Sequence, residues 1–464
     1  MRGMGGVAVV VVMMPLLGMI WITVARAATA SFLPRSDVPL GLPSCEVCPG
    51  APFGIAAGDL DGDGAVDVAT ANNSSADVSV LLGDRSGGFV FGTSIAVGDQ
   101  PAAIAAGLVD GDGRLDLVVA NEAANTLSIA RGRDGGFDAA SSIDIASAPG
   151  GGDNAPSDAV LADVNGDRTL DVVAVSLCAD KLTVVLGNGD GTFREPVVTD
   201  LSGGPIQLAA GDLDGDRDVD LAVALNNDAA VAVLLGDARG SFAPSASLTV
   251  EDRPSGIVIA DLDRDRIADI AVTNEFSDTV SVLRGKGEAA FAAAENYDVG
   301  AAPVALAAAD FDGDGRLDLV SADNLGTEEL DSSVSVLTGR GDGTFSPALV
   351  FATGAGAFDV VAADVNGDRR PDVLTVNMEG NDVSVLLNAS DGPAFGCIGD
   401  CDLDGAVEID ELVLGVGLSI DPAALDACPS IDANGDQRIG VDEVLRAVRG
   451  ALSGCESDGT VREP

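Results

Sequence analysis

The residues best equipped for chemistry are aspartates, and they recur in a fixed phrase. Asp310-Phe311-Asp312-Gly313-Asp314-Gly315-Arg316-Leu317-Asp318 puts carboxylates at positions 1, 3, 5 and 9 of a loop. Oxygen ligands at alternate positions of a tight turn suit a hard cation such as Ca²⁺, which takes about 6–8 oxygens in a flexible shell. The phrase returns as Asp59, Asp61, Asp63 and Asp67; Asp163, Asn165, Asp167 and Asp171; Asp212, Asp214, Asp216 and Asp220; Asp261, Asp263, Asp265 and Asp269; and Asp364, Asn366, Asp368 and Asp372. A copy starting at Leu108 keeps only Asp110, Asp112 and Asp116, and is expected to bind weakly or not at all. Asn165 and Asn366 retain an oxygen at lower charge. Arg264 replaces Gly at position 4 of its loop, where backbone strain alone is at stake.

The loops imply the elements that hold them. They start at 59, 108, 163, 212, 261, 310 and 364, a 49-residue spacing with two longer steps of 55 and 54. In each unit an apolar run leads into the loop and a second run follows it. Next come an Asn- or acid-rich turn, an alternating run such as Val78-Ser79-Val80-Leu81, a Gly-rich turn ending in Phe, and a looser fourth run. Short β runs bounded by Gly, Asp and Asn indicate four-stranded antiparallel sheets. Their radial repetition is the propeller solution to exposed edges. The expected fold is all-β, a seven-bladed β-propeller.

The phenylalanines test the register. Phe89, Phe193, Phe242, Phe291 and Phe345 each precede the next loop by 19 residues. Phe137 and Phe32 precede it by 26 and 27, across Gly/Pro/Cys-rich insertions. The seventh unit ends near Leu387 without a fourth strand of its own, so residues 31–42 are expected to complete it and close the ring. Phe395 competes for that place, but a new domain begins at once.

These residues resemble the FG-GAP/VCBS repeats of integrin α-subunit propellers and of many secreted bacterial proteins. The likeness rests on the Asp-x-Asp/Asn-x-Asp-x-x-x-Asp loops, the apolar run after them and the Gly-x-Phe turns, over residues 31–390. It implies Ca²⁺ in the loops and a role in adhesion or recognition.

Residues 396–455 follow a different logic, with a tail at 456–464. Asp400, Asp402, Asp404, Glu408 and Glu411 take ligand positions 1, 3, 5, 9 and 12 of an EF-hand loop, with Gly405 at position 6. Asp432, Asn434, Asp436 and Glu443 repeat it, with Gln437 at position 6 and Gly440 at position 9. Two loop–helix units without a clear helix before the first resemble a dockerin. That family implies a cohesin-type scaffold as partner, although Glu at position 12 in both loops is more EF-hand-like.

Composition narrows the function. A net charge of −49 with 25 Lys plus Arg excludes nucleic acid as a partner. The chain has no His, which removes His-dependent triads. Met1–Ala30 reads as a secretory signal: Arg2, an apolar run from Val7 to Val24, and a small-residue site at Ala28-Thr29-Ala30 or Ala25-Arg26-Ala27. An uncleaved anchor is the rival reading, and no later segment is apolar enough to span a membrane. The protein is thus expected outside the cell or on its surface, where Cys397, Cys401, Cys428 and Cys455 form two bridges, Cys45 pairs with Cys48, and Cys178 is left over.

Antiparallel order puts the metal loops on one face of the ring. The opposite face carries turns containing Asn72, Asn121, Glu122, Asn226, Asn274, Glu275, Asn324 and Asn377. This rim is either the recognition face or simple turn chemistry. The reading is a calcium-binding, non-enzymatic interaction module whose extracellular ligand is a protein or a glycan. Its alternatives are a lectin, poorly served by a mature chain with one Tyr and no Trp beyond Trp21, and a dockerin-bearing component of a polysaccharide-degrading complex.

Overall fold

Strands form where apolar runs are broken by Gly, Asp and Asn. The computed structural model describes residues 30–40, 51–145, 155–325 and 332–390. Among these, Phe32–Phe311 and Gly315–Ala389 make one compact unit, while Asp312–Asp314 are grouped with a second. The strands assemble into seven four-stranded antiparallel sheets. Blade one, for example, is Pro52–Gly58, Asp67–Asn72, Asp77–Gly83 and Phe89–Ala96, hydrogen-bonded in that order. Blade two carries an extra two-stranded ribbon, Gly132–Arg133 with Gly136–Phe137, in place of a longer outer strand.

The expected closure is present. Blade seven is Ala357–Ala363, Asp372–Asn377 and Asp382–Leu386, completed by the N-terminal strand Ser36–Pro39. Asp37 pairs with Ser384, and Phe32 bridges Asn388, as every other repeat Phe pairs with a glycine at the end of its third strand or two residues past it.

Each blade's second strand is buried along its whole length. Both its faces meet apolar neighbours, which is why it reads as an unbroken hydrophobic run rather than an alternating one. The core clusters lie between neighbouring blades: Ile55, Val68 and Leu81 of blade one pack on Leu374, Val376 and Val385 of blade seven. First strands pack chiefly on the first strands of adjacent blades, touching their second strands as well, and so ring a central channel. Pro52, Pro101, Pro205, Pro254 and Pro303 begin them. Proline is tolerated there because the channel-side edge of a sheet needs no ladder N–H.

Among the described residues no helix is long and apolar enough to cross a membrane. All of the expected Met1–Ala30 signal but Ala30, the pair Cys45 and Cys48, and the EF-hand/dockerin-like unit over 396–455, with all its ligands and cysteines, lie outside the described residues.

Candidate metal loops and the central cavity

The ninth-position acid does more than the ligand spacing implies. Asp67 Oδ2 accepts the Leu60 amide at 2.9 Å, and its Oδ1 accepts the Gly83 amide at 2.8 Å. All seven blades repeat the arrangement. The acids are Asp67, Asp116, Asp171, Asp220, Asp269, Asp318 and Asp372, and their forward partners are Gly83, Gly132, Gly187, Gly236, Gly285, Gly339 and Asn388. Each carboxylate therefore pins its loop to the turn after the third strand. Burial raises Asp67, Asp116, Asp171 and Asp220, and lifts Asp269 and Asp372 to about 6, with the amide bonds opposing the shift. Where the partner is glycine, contact explains it: a Cβ on Gly83 would stand 2.1 Å from the Val66 carbonyl oxygen.

The other acids fold the loop upon itself. Asp59 accepts the amides of Gly62 and Gly64, Asp61 that of Asp63, and Asp63 that of Ala65. Asp163, Asp212, Asp261 and Asp364 act like Asp59. Asn165 and Asn366 accept the same amide bond through Oδ1 that Asp214 and Asp263 accept. Position 5 is equally regular at Asp112, Asp167, Asp216, Asp265 and Asp368. Asp314 donates its amide to Asp312 Oδ1 at 3.1 Å, and Asp310 accepts that of Gly315 at 2.8 Å. Arg264 has φ 65°, the left-handed strain expected of it.

Oxygens converge in these loops. Asp59, Asp61 and Asp67 each bring a ligand atom within 4.8 Å of the others, as do Asp212, Asp214 and Asp220, and Asp261, Asp263 and Asp265. A Ca²⁺–O bond is about 2.3–2.6 Å, so oxygens on one ion stand up to about 5 Å apart. The set fits a hard divalent cation. Crowding tells on the acids themselves: burial, then neighbouring carboxylates, raises Asp214 and Asp263. In blade two Leu108 is 47% exposed and supplies no oxygen, while the Arg114 guanidinium stands 3.6 Å from Asp112 and also pairs with Asp134.

The rim residues are divided by the structure. Asn72, Asn121, Asn274 and Asn377 end their second strands and are fully buried. Each donates through Nδ2 to a third-strand serine, Ser79, Ser128, Ser281 or Ser384. Their side chains are thus not on the rim; a polar strand end is satisfied inside the blade. Asn226 and Asn324 reach across to the Pro254 and Ala357 carbonyls and tie one blade to the next. Glu122 and Glu275 remain half-buried at the turns. The apolar side chains that follow in two turns escaped the sequence reading: Phe276 is 60% and Leu325 59% exposed, and Arg253 covers the Phe276 ring at 4.5 Å. The only signal for them was a large apolar residue directly after the turn's Asn or acid.

Glu122 and Glu275 also line a central cavity of about 600 Å³. Asp158 of blade three and Asp359 of blade seven face it from the same register, five residues before Asp163 and Asp364. Each clips the next blade: Asp158 accepts the Leu208 amide and Asp359 the Ile55 amide, both at 3.0 Å. Burial pushes Asp158 up to about 7, with the charge of Asp359 adding to it, and Asp359 up to about 6. Neither residue belongs to a loop motif, and the sequence reading passed over both.

Known proteins match this architecture. No curated protein matches the chain by sequence. Among solved structures, BBS1N in complex with ARL6DN superposes with a TM-score of 0.54 at 14% identity, covering 77% of this chain and 96% of that one. Hydrazine synthase of Kuenenia stuttgartiensis gives 0.52 at 16%, covering 75% and 98%. A Lactobacillus plantarum protein gives 0.51 at 14%, covering 66% and 86%. At such identities the likeness is one of fold. The repeats carry more: the FG-GAP-like repeat model matches residues 109–174, 163–223, 212–272, 261–321 and 322–375, each match but the last beginning within or at an acidic loop and running to the second strand of the following blade. With loops, blades and repeat matches in one register, the chain belongs to the FG-GAP-like repeat family.

Proposed function

We propose that the protein is a secreted, non-enzymatic interaction module whose propeller is stabilised by Ca²⁺ and whose extracellular partner docks on the face opposite the metal loops. The observation that carries the metal part is the convergence of three carboxylates within 4.8 Å in separate, equivalent loops. Oxygens already positioned by amide bonds lose little freedom on binding, so the ion acts as a staple. The docking part is supported by Phe276 and Leu325, large exposed apolar side chains on turns of adjacent blades, beside Glu275 and Arg253. Export and cell-surface residence follow from the N-terminal apolar run and suit the repeat family.

Melting of the full chain in calcium and in chelator tests the staple: a Tm that falls in chelator and returns with Ca²⁺ is expected, and an unchanged Tm would refute it. Capture from extracellular material tests the face. Phe276→Ser with Leu325→Ser is expected to abolish capture without lowering Tm. Retention by this variant would move the docking site elsewhere.

A further inference from the structure

The central cavity carries charge that the fold does not answer. Asp158, Asp359, Glu122 and Glu275 place carboxylates in its wall, and among the described residues no Lys or Arg lines it. Arg253 reaches Glu275 at 3.6 Å from outside the lining. Asp158 and Asp359 have amide partners, which hold their oxygens and supply no countercharge. Carboxylates removed from bulk water without a counter-ion are destabilising.

Packing does not demand acids at this level. The equivalent residues elsewhere are Gly54, Ala103, Gln207, Gly256 and Ala305, and at Gly256 a Cβ would lie 2.5 Å from the Ala305 Cα. Four blades have small residues that let the first strands close together and one has the neutral Gln207; two blades carry acids instead, and both acids face one space.

The volume and the rest of the wall select the ligand class. About 600 Å³ exceeds the needs of one coordinated ion and lies within the usual range of small-molecule sites, about 300–1,000 Å³. Phe53, Leu177, Ile206 and Ile257 give carbon surface, and Phe53 stacks on Phe358 at 4.6 Å between centroids. The metal loops differ in offering oxygen without such walls. We propose that the central cavity binds a small organic cation, an alkylammonium whose charged groups lie against Asp158 and Asp359 and whose apolar stem lies along Phe53, Ile206 and Ile257. This site does not depend on loop occupancy, and of the residues named for the docking face it shares Glu275.

Titration calorimetry of the full chain with spermidine, in calcium-replete buffer at physiological salt, is expected to show saturable binding. Asp158→Asn with Asp359→Asn keeps one oxygen at each position for the inter-blade amides of Leu208 and Ile55 and is expected to weaken that binding at least tenfold. Glu122→Gln, at the turn end of the cavity, is a milder variant expected to weaken it several-fold should the double variant fail to fold. Asp134→Asn with Asp200→Asn, acids 93% and 88% exposed, is expected to leave affinity unchanged. Absence of saturable binding overturns the proposal. So does an equal loss in the cavity and surface variants, which would mean adsorption to an acidic surface of net charge −49.

Discussion

Asp269 reaches sixteen residues forward to Gly285: its Oδ1 accepts the Gly285 amide at 2.7 Å while its Oδ2 accepts the Leu262 amide at 2.8 Å. One carboxylate thus shapes the metal loop and anchors the turn beyond the third strand. The pin persists in blade two, around Asp116, where the loop has lost its first ligand. Two roles that share a residue can be separated there. Asp116→Ala orphans two buried amides and is expected to cost about 2–4 kcal/mol, alike in calcium and in chelator. The cost of Asp59→Ala is expected to shrink in chelator. Denaturant unfolding in both buffers checks this, and equal chelator sensitivity would assign the ninth acid to metal binding alone.

The glycine partner makes a second case. Gly285→Ala sets a Cβ 2.3 Å from the Ala268 carbonyl oxygen and is expected to cost more than about 2 kcal/mol. Gly62 has φ +84° but open space around it, so Gly62→Ala is expected to cost only about 1 kcal/mol. Thermal melts of the two variants should rank in that order.

The buried asparagines point to a stabilising change. Thr70 donates to Asn72 Oδ1 at 3.0 Å and Thr375 to Asn377 Oδ1 at 3.1 Å. Val119 and Val272 occupy the corresponding places before Asn121 and Asn274, whose Oδ1 atoms have no partner. Val272→Thr supplies the hydroxyl in the same shape and is expected to raise stability by about 1 kcal/mol; Thr70→Val should lower it by a similar amount. A Tm that falls in Val272→Thr would show that the hydroxyl does not reach the amide.

Acidity acts on the cavity in a defined direction. Burial and Asp359 push Asp158 up to about 7. The native state therefore holds a proton that the unfolded chain has released, and this contribution to stability, complete below the usual carboxylate range, is lost as pH rises to about 7. Asp158→Asn removes it. Between pH 5 and pH 8 in saturating calcium, the wild-type Tm should fall more than that of the variant; parallel profiles would show that Asp158 titrates normally.

The ring was legible because its marks are local and repeated. Acid spacing within nine residues and a Phe at constant distance suffice to count blades and to identify Phe32 as belonging to the last one. Which asparagines face the rim was not legible, because a buried strand-end Asn and an exposed turn Asn look alike in one dimension. The distinguishing mark was present: Asn72, Asn121, Asn274 and Asn377 each have a Ser seven residues later. Asp158 and Asp359 were missed for another reason. Their meaning depends on the cavity between first strands of different blades, which no run of neighbouring residues records.

The closing strand joins residues that the ribosome makes far apart in time. Asp37 and Ser384 are hydrogen-bonded across 347 residues of chain, and blade one packs directly on blade seven. A nascent chain holding six finished blades still has an unpaired edge at each end and an uncovered apolar flank. Closure joins distant ends, so its entropic cost falls late and on a single step. Until then either edge is open to a strand from another molecule. Crowding among nascent chains, rather than weakness of the finished ring, is thus the natural hazard of this architecture, and one four-residue strand decides when it ends.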